Sequence, residues 1–344
     1  MKIDIEERVL HFKQPAGTSR GVYTERRIWL VSISDGRTIG RGECAPLLDL
    51  SCDAMEPAVY KKVLRGFCDQ VEQTGEIPYE EMRDYPSMLF GLETAMMDVR
   101  SKKADRKGIL FDTPFARGEQ GITINGLVWM GNHEEMLQRM EEKLKLGFRC
   151  VKLKVGAIDF DQELDLVKRI RERFSYHEVE LRLDANGGFT YEEALYKLEL
   201  LSQYNIHSIE QPIKQGQWAY MAELCRESPL PIALDEELIG MNDPEIKRHM
   251  LEIIKPRYII LKPSLHGGMM GCREWISTAK DLGIGSWITS ALESNVGLNA
   301  IAQFAADVYG DNITMPQGLG TGQLFTDNID MPLEIRGDRL WRSF

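Results

Sequence analysis

Cysteine is scarce in this chain of 344 residues: there are six, at 44, 52, 68, 150, 225 and 272, and none forms a Cys-x-x-Cys pair. That excludes a disulfide-built scaffold and the short-spaced zinc and redox motifs, and it fits a reduced, cytoplasmic protein. No apolar run approaches the roughly 20 residues a membrane helix needs. The opening stretch "MKIDIEERVLHF" alternates like a strand and lacks the apolar core of a signal peptide. Positive charge is in deficit: 42 Lys and Arg against 53 Asp and Glu leave a net charge of −11. This argues against nucleic acid or an anionic membrane as partner, but not against a small anionic substrate held in a locally basic pocket. The six histidines, at 11, 133, 177, 207, 249 and 266, show no metal-ligand spacing, and His207 and His266 read as structural or surface residues.

What is present begins with 43% hydrophobic residues, enough for a sizeable core. The length suits one large barrel with a smaller domain, or two domains. From residue 120 onward, short apolar segments alternate with amphipathic ones. The short ones are "ITINGLVWM" (122–130), "CVKLKVG" (150–156), "ELRLDANG" (180–187), "IHSIEQP" (206–212), "PIALDEE" (231–237), "YIILKPS" (258–264), "GSWITSALES" (285–294) and "ITMPQGLGTG" (313–322). Helical stretches such as "DQELDLVKRIRERF" and "TYEEALYKLELLSQY" lie between, the second with Thr190 and Glu193 at capping-box spacing. Eight strands with helical crossovers describe a (β/α)8-type barrel. An open doubly wound sheet gives the same alternation. Its Gly-rich loop after the first strand is missing, and the nearest candidate, "GLGTG" at 318–322, follows the last strand. The first 110 or so residues instead run from strand patterns ("RRIWLVSISDG", "RTIGRGECAPL") to helical ones ("EPAVYKKVLRGFCDQVEQ", "SMLFGLETAMMDVRSKK"), as in an α+β domain. Residues 111–120 read as the junction, and the tail "MPLEIRGDRLWRSF" reads as a strand returning to the first domain.

Charge recurs near the C-terminal end of successive strands: Lys152 and Lys154, Asp184, Glu210, Asp235 with Glu236, and Lys262. The steps from 154 to 184, 210, 235 and 262 are 30, 26, 25 and 27 residues, one βα unit each. In a barrel all of them reach the same rim, where such enzymes do their chemistry. Three carboxylates converging there need a counter-charge. An Mg2+ ion, or Mn2+, suits all-oxygen ligation; a salt-bridge cluster with the neighbouring lysines is the other solution. Lys152 and Lys154 share one strand face. A second positive charge beside a lysine lowers its pKa towards that of a usable base, so Lys152 is expected to favour a neutral Lys154 and to contact a bound carboxylate. Lys262 lies across the site. The pattern suits removal of a proton α to a carboxylate, with positive charge stabilising the enediolate.

The motifs "GRGECAPL" (40–47), "SMLFGLETA" (87–95), "VKLKVG", "RLDANGG" (182–188), "IEQP", "LDEE", "LKPS", "SALES" (290–294) and "GLGTGQLFTDN" (318–328) together resemble the enolase superfamily, in its muconate-lactonising-enzyme-like subgroup. The resemblance spans almost the whole chain. It implies an α/β fold: a modified TIM barrel of (β/α)7β type over residues 111–324, an α+β capping domain over 1–110, and a tail from about 325 to 344 packing back on that domain. It also implies Asp184, Glu210 and Asp235 as Mg2+ ligands, Lys154 as general base and Lys262 as its electrostatic partner. Asn186 and Glu236 would tune the metal or the lysines, Ser290 and Gly318 would face the substrate unless they serve only backbone packing, and loop 15–23 would enclose it.

The branch it resembles most dehydrates a succinyl-hydroxycyclohexadiene carboxylate in menaquinone synthesis. N-acylamino-acid racemases and dipeptide epimerases of the superfamily share the lysine pair. An epimerase is expected to carry Asp-x-Asp on the eighth strand, and "TMPQGLGTG" offers no acid; a sugar-acid dehydratase needs a histidine that "GSWITSALES" lacks.

Overall fold

The computed structural model describes residues 1–18, 21–128, 132–156, 159–310 and 313–343. Parts of two sequence segments, 19–20 of the loop 15–23 and 129–130 of the expected strand 122–130, lie outside the described residues. The chain opens with an antiparallel sheet of β1 (Lys2–Thr18), β2 (Gly21–Ser34) and β3 (Ile39–Cys44), followed by α1 (Pro57–Thr74) and α2 (Pro86–Lys103). Strand periodicity makes β2 two-faced. Trp29, Val31 and Ile33 pack with Tyr60, Leu64, Cys68 and Val71, the i, i+4 stripe of α1. Ile28 and Leu30 pack the other way, with Val296 and Phe325 from the far part of the chain.

Strand β3 lies directly on α2. A Cβ at Gly42 would overlap the carbonyl oxygen of Gly91, and one at Gly91 would overlap the Cys44 sulfur. Because the obstacle is backbone, Gly42→Ala is expected to cost about 3 kcal/mol of stability, read as a lowered urea midpoint.

The second part runs β4 (Ile122–Thr123), β5 (Gly126–Val128), α3 (His133–Lys145), β6 (Cys150–Lys154), α4 (Phe160–Arg173), β7 (Glu180–Asp184), α5 (Tyr191–Ser202), β8 (Ser208–Glu210), α6 (Trp218–Glu227), β9 (Ile232–Leu234), α7 (Pro244–Ile254), β10 (Tyr258–Leu261), α8 (Gly268–Asp281), β11 (Gly285–Ile288) and α9 (Asn295–Tyr309). Strands β5 to β11 form one parallel sheet in sequence order. Residues 317–318 close it. Gly318 N donates to Ile288 O and Ser290 N to Gly318 O on one side, while Gln317 N donates to Thr123 O and Asn125 N to Gln317 O on the other. Seven βα units and a minimal eighth strand give the (β/α)7β form, and the open doubly wound alternative is excluded. The capping spacing at α5 is realised: Glu193 Oε1 accepts from Thr190 N at 3.0 Å.

Two segments divide more finely than their hydrophobic patterns suggest. The run 122–130 splits, because Ile122–Thr123 pairs antiparallel with β13 (Arg339–Arg342) before the chain enters the barrel at β5. The tail, read as one strand, is a hairpin of β12 (Leu333–Arg336) and β13, turned at Gly337–Asp338 with Gly337 at φ +60°. Upstream of it, residues 324–326 run beside β1, with Lys13 N donating to Leu324 O and Thr326 N to His11 O.

The N-terminal domain grips the barrel through carboxylates set at helix N-termini. Glu93 of α2 accepts from Met269 N at 2.6 Å and Met270 N at 3.0 Å, fixing the start of α8; Gly268, at φ +68°, leaves room for it. Burial raises the Glu93 carboxyl from 4.5 to about 7, against the pull of those two N–H groups. A raised folded-state pKa means this group's contribution is complete below pH 4.5 and lost as pH rises through about 7. The stability of the protein relative to Glu93→Gln should therefore fall by up to about 3 kcal/mol across that window, measured by urea denaturation at a series of pH values.

Candidate active site

Parallel pairing aligns the strand ends. Lys154 is in register with Asp184, and Asp184 with Glu210, each the last residue of its strand. Asp235 and Lys262 each follow the last residue of theirs, β9 and β10. All five side chains point into the barrel mouth, and their charges meet there. Lys152 Nζ lies 2.9 Å from Asp184 Oδ2 and 2.5 Å from Glu210 Oε2. Lys154 Nζ is 2.9 Å from the same Asp184 oxygen and donates to Asn186 Oδ1 at 2.6 Å. Lys262 Nζ pairs with Asp235 Oδ2. Asn186, in the left-handed region at φ +44°, passes the contact on, its Nδ2 donating to Glu236 Oε1 at 2.9 Å.

The electrostatics follow from burial against pairing. Burial pushes Asp184 up, but Lys152 and Lys154 outweigh it and hold the carboxyl well below its usual range. Asp235 is likewise held low, by Lys262 against burial. Glu210 goes the other way: burial, with Asp184 and then Asp235 close by, raises it well above a normal glutamate. Burial lowers Lys152 and Lys262, yet the facing carboxylates win and raise both. With three carboxylates beside it, Lys152 is a firmly held cation. Paired with Asp184 and Glu210, it is not the bare positive neighbour expected beside Lys154.

Among the described residues no group of His, Cys, Asp or Glu is already gathered closely enough to hold an ion. Each of the three lysines takes a carboxylate oxygen. Two oxygens, Glu210 Oε1 and Asp235 Oδ1, are nevertheless buried without a hydrogen-bond partner. Unsatisfied, buried, purely oxygen donors are the set a hard divalent cation prefers, so the residues present fit one.

Above the cluster lies a cavity of about 350 Å3. Its floor includes Lys152, Lys154, Asp184 and Lys262, and its walls include Ser290, Ala291 and Leu292 from the barrel and Tyr23, Leu47 and Leu50 from the N-terminal domain. Tyr23, near the start of β2, donates from Oη to Asp49 Oδ2, tying the β1–β2 hairpin to the segment that follows β3. Ser290 and Gly318 both line the cavity. Ser290 Oγ is hydrogen-bonded to Thr321 Oγ1, and Gly318 is also fixed by packing, since a Cβ there would overlap the Thr289 hydroxyl.

Two uncharged residues support the cluster without having been singled out in the sequence as part of it. Gln211, at φ +41°, accepts from Asp235 N and Glu237 N with Oε1 and donates to Glu237 Oε2 with Nε2. It sits beside Glu210 in "IEQP", but a search for charge passes over an amide. His266 is fully buried rather than superficial, and its Nδ1 accepts from Lys262 N at 2.8 Å. Burial lowers its pKa to about 3, so the ring is a neutral acceptor that fixes the turn carrying Lys262.

Comparison with known proteins agrees with this arrangement. The family model "Enolase C-terminal domain-like" matches residues 135–340, and "MenC, N-terminal domain" matches residues 18–99. The chain is 44% identical to the o-succinylbenzoate synthase of Desulfotalea psychrophila, over 99% of this chain and 98% of that protein. The crystal structure of MenC from Desulfotalea psychrophila superposes with a TM-score of 0.80 at 40% identity, covering 99% of each chain. A dipeptide epimerase from Enterococcus faecalis, complexed with Mg and the dipeptide L-Leu-L-Tyr, shares the fold at a TM-score of 0.86 and 20% identity, over 100% of this chain and 96% of its own.

Proposed function

The chain belongs to the o-succinylbenzoate synthase family of the enolase superfamily, and from that premise we propose that it dehydrates 2-succinyl-6-hydroxy-2,4-cyclohexadiene-1-carboxylate to 2-succinylbenzoate, a step of menaquinone biosynthesis. The observation that carries this reading is that Lys154 and Lys262, from the second and sixth barrel strands, both line the floor of one cavity, the first paired with Asp184 and the second with Asp235. The six unbridged thiols suit a cytoplasmic setting. No helix among the described residues is long and apolar enough to cross a membrane.

Lys154 Nζ, neutral at that moment, takes the proton from the ring carbon bearing the carboxylate. The electron pair moves into the carboxylate as an enediolate, and the Lys262 ammonium stabilises the added charge from the opposite side. As the pair returns to the ring, the bond to the hydroxyl breaks. The proton held by Lys154 accompanies the departing hydroxide as water, leaving an aromatic ring and a neutral lysine. Asn186 orients Lys154, and Lys152 adds a positive charge to the carboxylate subsite. Mg2+ (or Mn2+) held by Asp184, Glu210 and Asp235 supplies, when bound, further positive charge for the substrate carboxylate.

The test is loss of the cyclohexadiene absorbance in a purified-protein assay. Turnover should disappear with EDTA and return with Mg2+ or Mn2+. An enzyme inert towards this diene, yet exchanging the α-proton of N-acylamino acids from both faces, would be a racemase instead.

A further inference from the structure

Arg26 of β2 stands away from the catalytic cluster, on the side of the sheet that faces the barrel, and only 4% of it is exposed. A guanidinium so buried is costly unless every donor is used. Here it serves four backbone carbonyls. Nη1 donates to Pro46 O, Nη2 to Ala45 O and to Ala291 O at 3.3 Å, and Nε to Leu292 O at 3.2 Å. These oxygens belong to two loops. Residues 45–46 lead into Leu47 and Leu50, one wall of the cavity, and Ala291 and Leu292 form part of the other.

Two buried carboxylates accompany it. Glu43 accepts from Ser294 N and Gly297 N, both at 2.8 Å, and from Ser294 Oγ, holding the first turn of α9. Glu293 accepts from Ala291 N and from Ser264 Oγ, two residues beyond Lys262. A separate strain sits at the same point: Leu292 has φ +65°, a left-handed conformation that a branched side chain rarely adopts and that surrounding contacts must impose.

We infer that Arg26 is a positioning residue for substrate binding: it clamps the N-terminal wall of the cavity to the barrel wall and holds Leu292 in its left-handed backbone, while touching neither the substrate nor the lysines. The inference rests on the reading that this cavity receives the cyclohexadiene carboxylate.

Arg26→Lys tests it. Lysine keeps the charge that faces Glu43 and Glu293, but its compact head cannot span four carbonyls on two loops. We expect KM to rise at least tenfold with kcat within threefold, because the lysines and carboxylates stand on other strands. In a Leu292→Gly background, where glycine takes the left-handed backbone unaided, the same change should raise KM less than threefold. Hydrogen exchange of amides 290–294, read without substrate, should speed up at least tenfold. An unchanged KM, a fall confined to kcat or thermal stability, an undiminished effect in the glycine background, unaltered exchange, or loss of cooperative unfolding in Arg26→Lys would each overturn the clamp. If the wild-type protein leaves the diene intact, the functional reading fails separately, and the exchange measurement still judges the clamp.

Discussion

Replacing Lys154 with alanine should lower turnover by about 10^2- to 10^4-fold, with the fold and Mg2+ affinity retained. The size follows from what is removed. General-base catalysis by one positioned group is worth about 10^2 to 10^4, and the other two lysines of the cluster are already engaged. Lys152 is bound between Asp184 and Glu210, and Lys262 is paired with Asp235. The fold survives because Asp184 keeps Lys152 at 2.9 Å after Lys154 is gone, so no buried carboxylate loses its last cation. Asn186 loses one donor but keeps its bond to Glu236. Steady-state rates, circular dichroism and Mg2+ titration calorimetry check the three parts separately. A residual rate within tenfold of wild type would remove Lys154 as the base.

The features that predict this result were legible in the sequence because they follow from a repeat. One βα unit takes 25 to 30 residues here, so charges spaced from Lys154 to Asp184, Glu210, Asp235 and Lys262 must reach one rim if the strands are parallel. Other features depend on which distant segment arrives, and no local pattern encodes that. Ile122 and Thr123 look like the start of a barrel strand, yet the returning hairpin claims them. Gly318 is expected to face the substrate or to serve backbone packing, and its lack of a side chain answers to the Thr289 hydroxyl beside it. Arg26 and Glu43 look like the polar positions of alternating surface strands, and become buried only because the barrel covers that face of the sheet. Gln211 and His266 act through backbone N–H groups of other residues, a role that side-chain chemistry does not announce.

Lys262 should separate charge from shape. Lys262→Ala removes the cation opposite the base, and the rate should fall about 10^3-fold, the scale seen when one preorganised electrostatic donor is lost. Lys262→Arg restores the charge with a wider, planar head, and should recover part of that loss. α-Proton exchange from the Lys154 face should persist in the arginine variant. If instead wild-type protein exchanges from both faces and the arginine variant abolishes one, Lys262 is itself an acid–base group and the racemase reading gains. The alanine variant carries a second, independent signature. Asp235 is fully buried, Oδ1 has no hydrogen-bond partner, and Lys262 holds Oδ2. Without that lysine the metal-free protein keeps a buried carboxylate that has lost its ion-pair partner, a defect that costs about 3 to 5 kcal/mol. Added Mg2+ should therefore raise Tm more in Lys262→Ala than in wild type if Asp235 is a ligand. An equal or smaller rise would place the cation elsewhere.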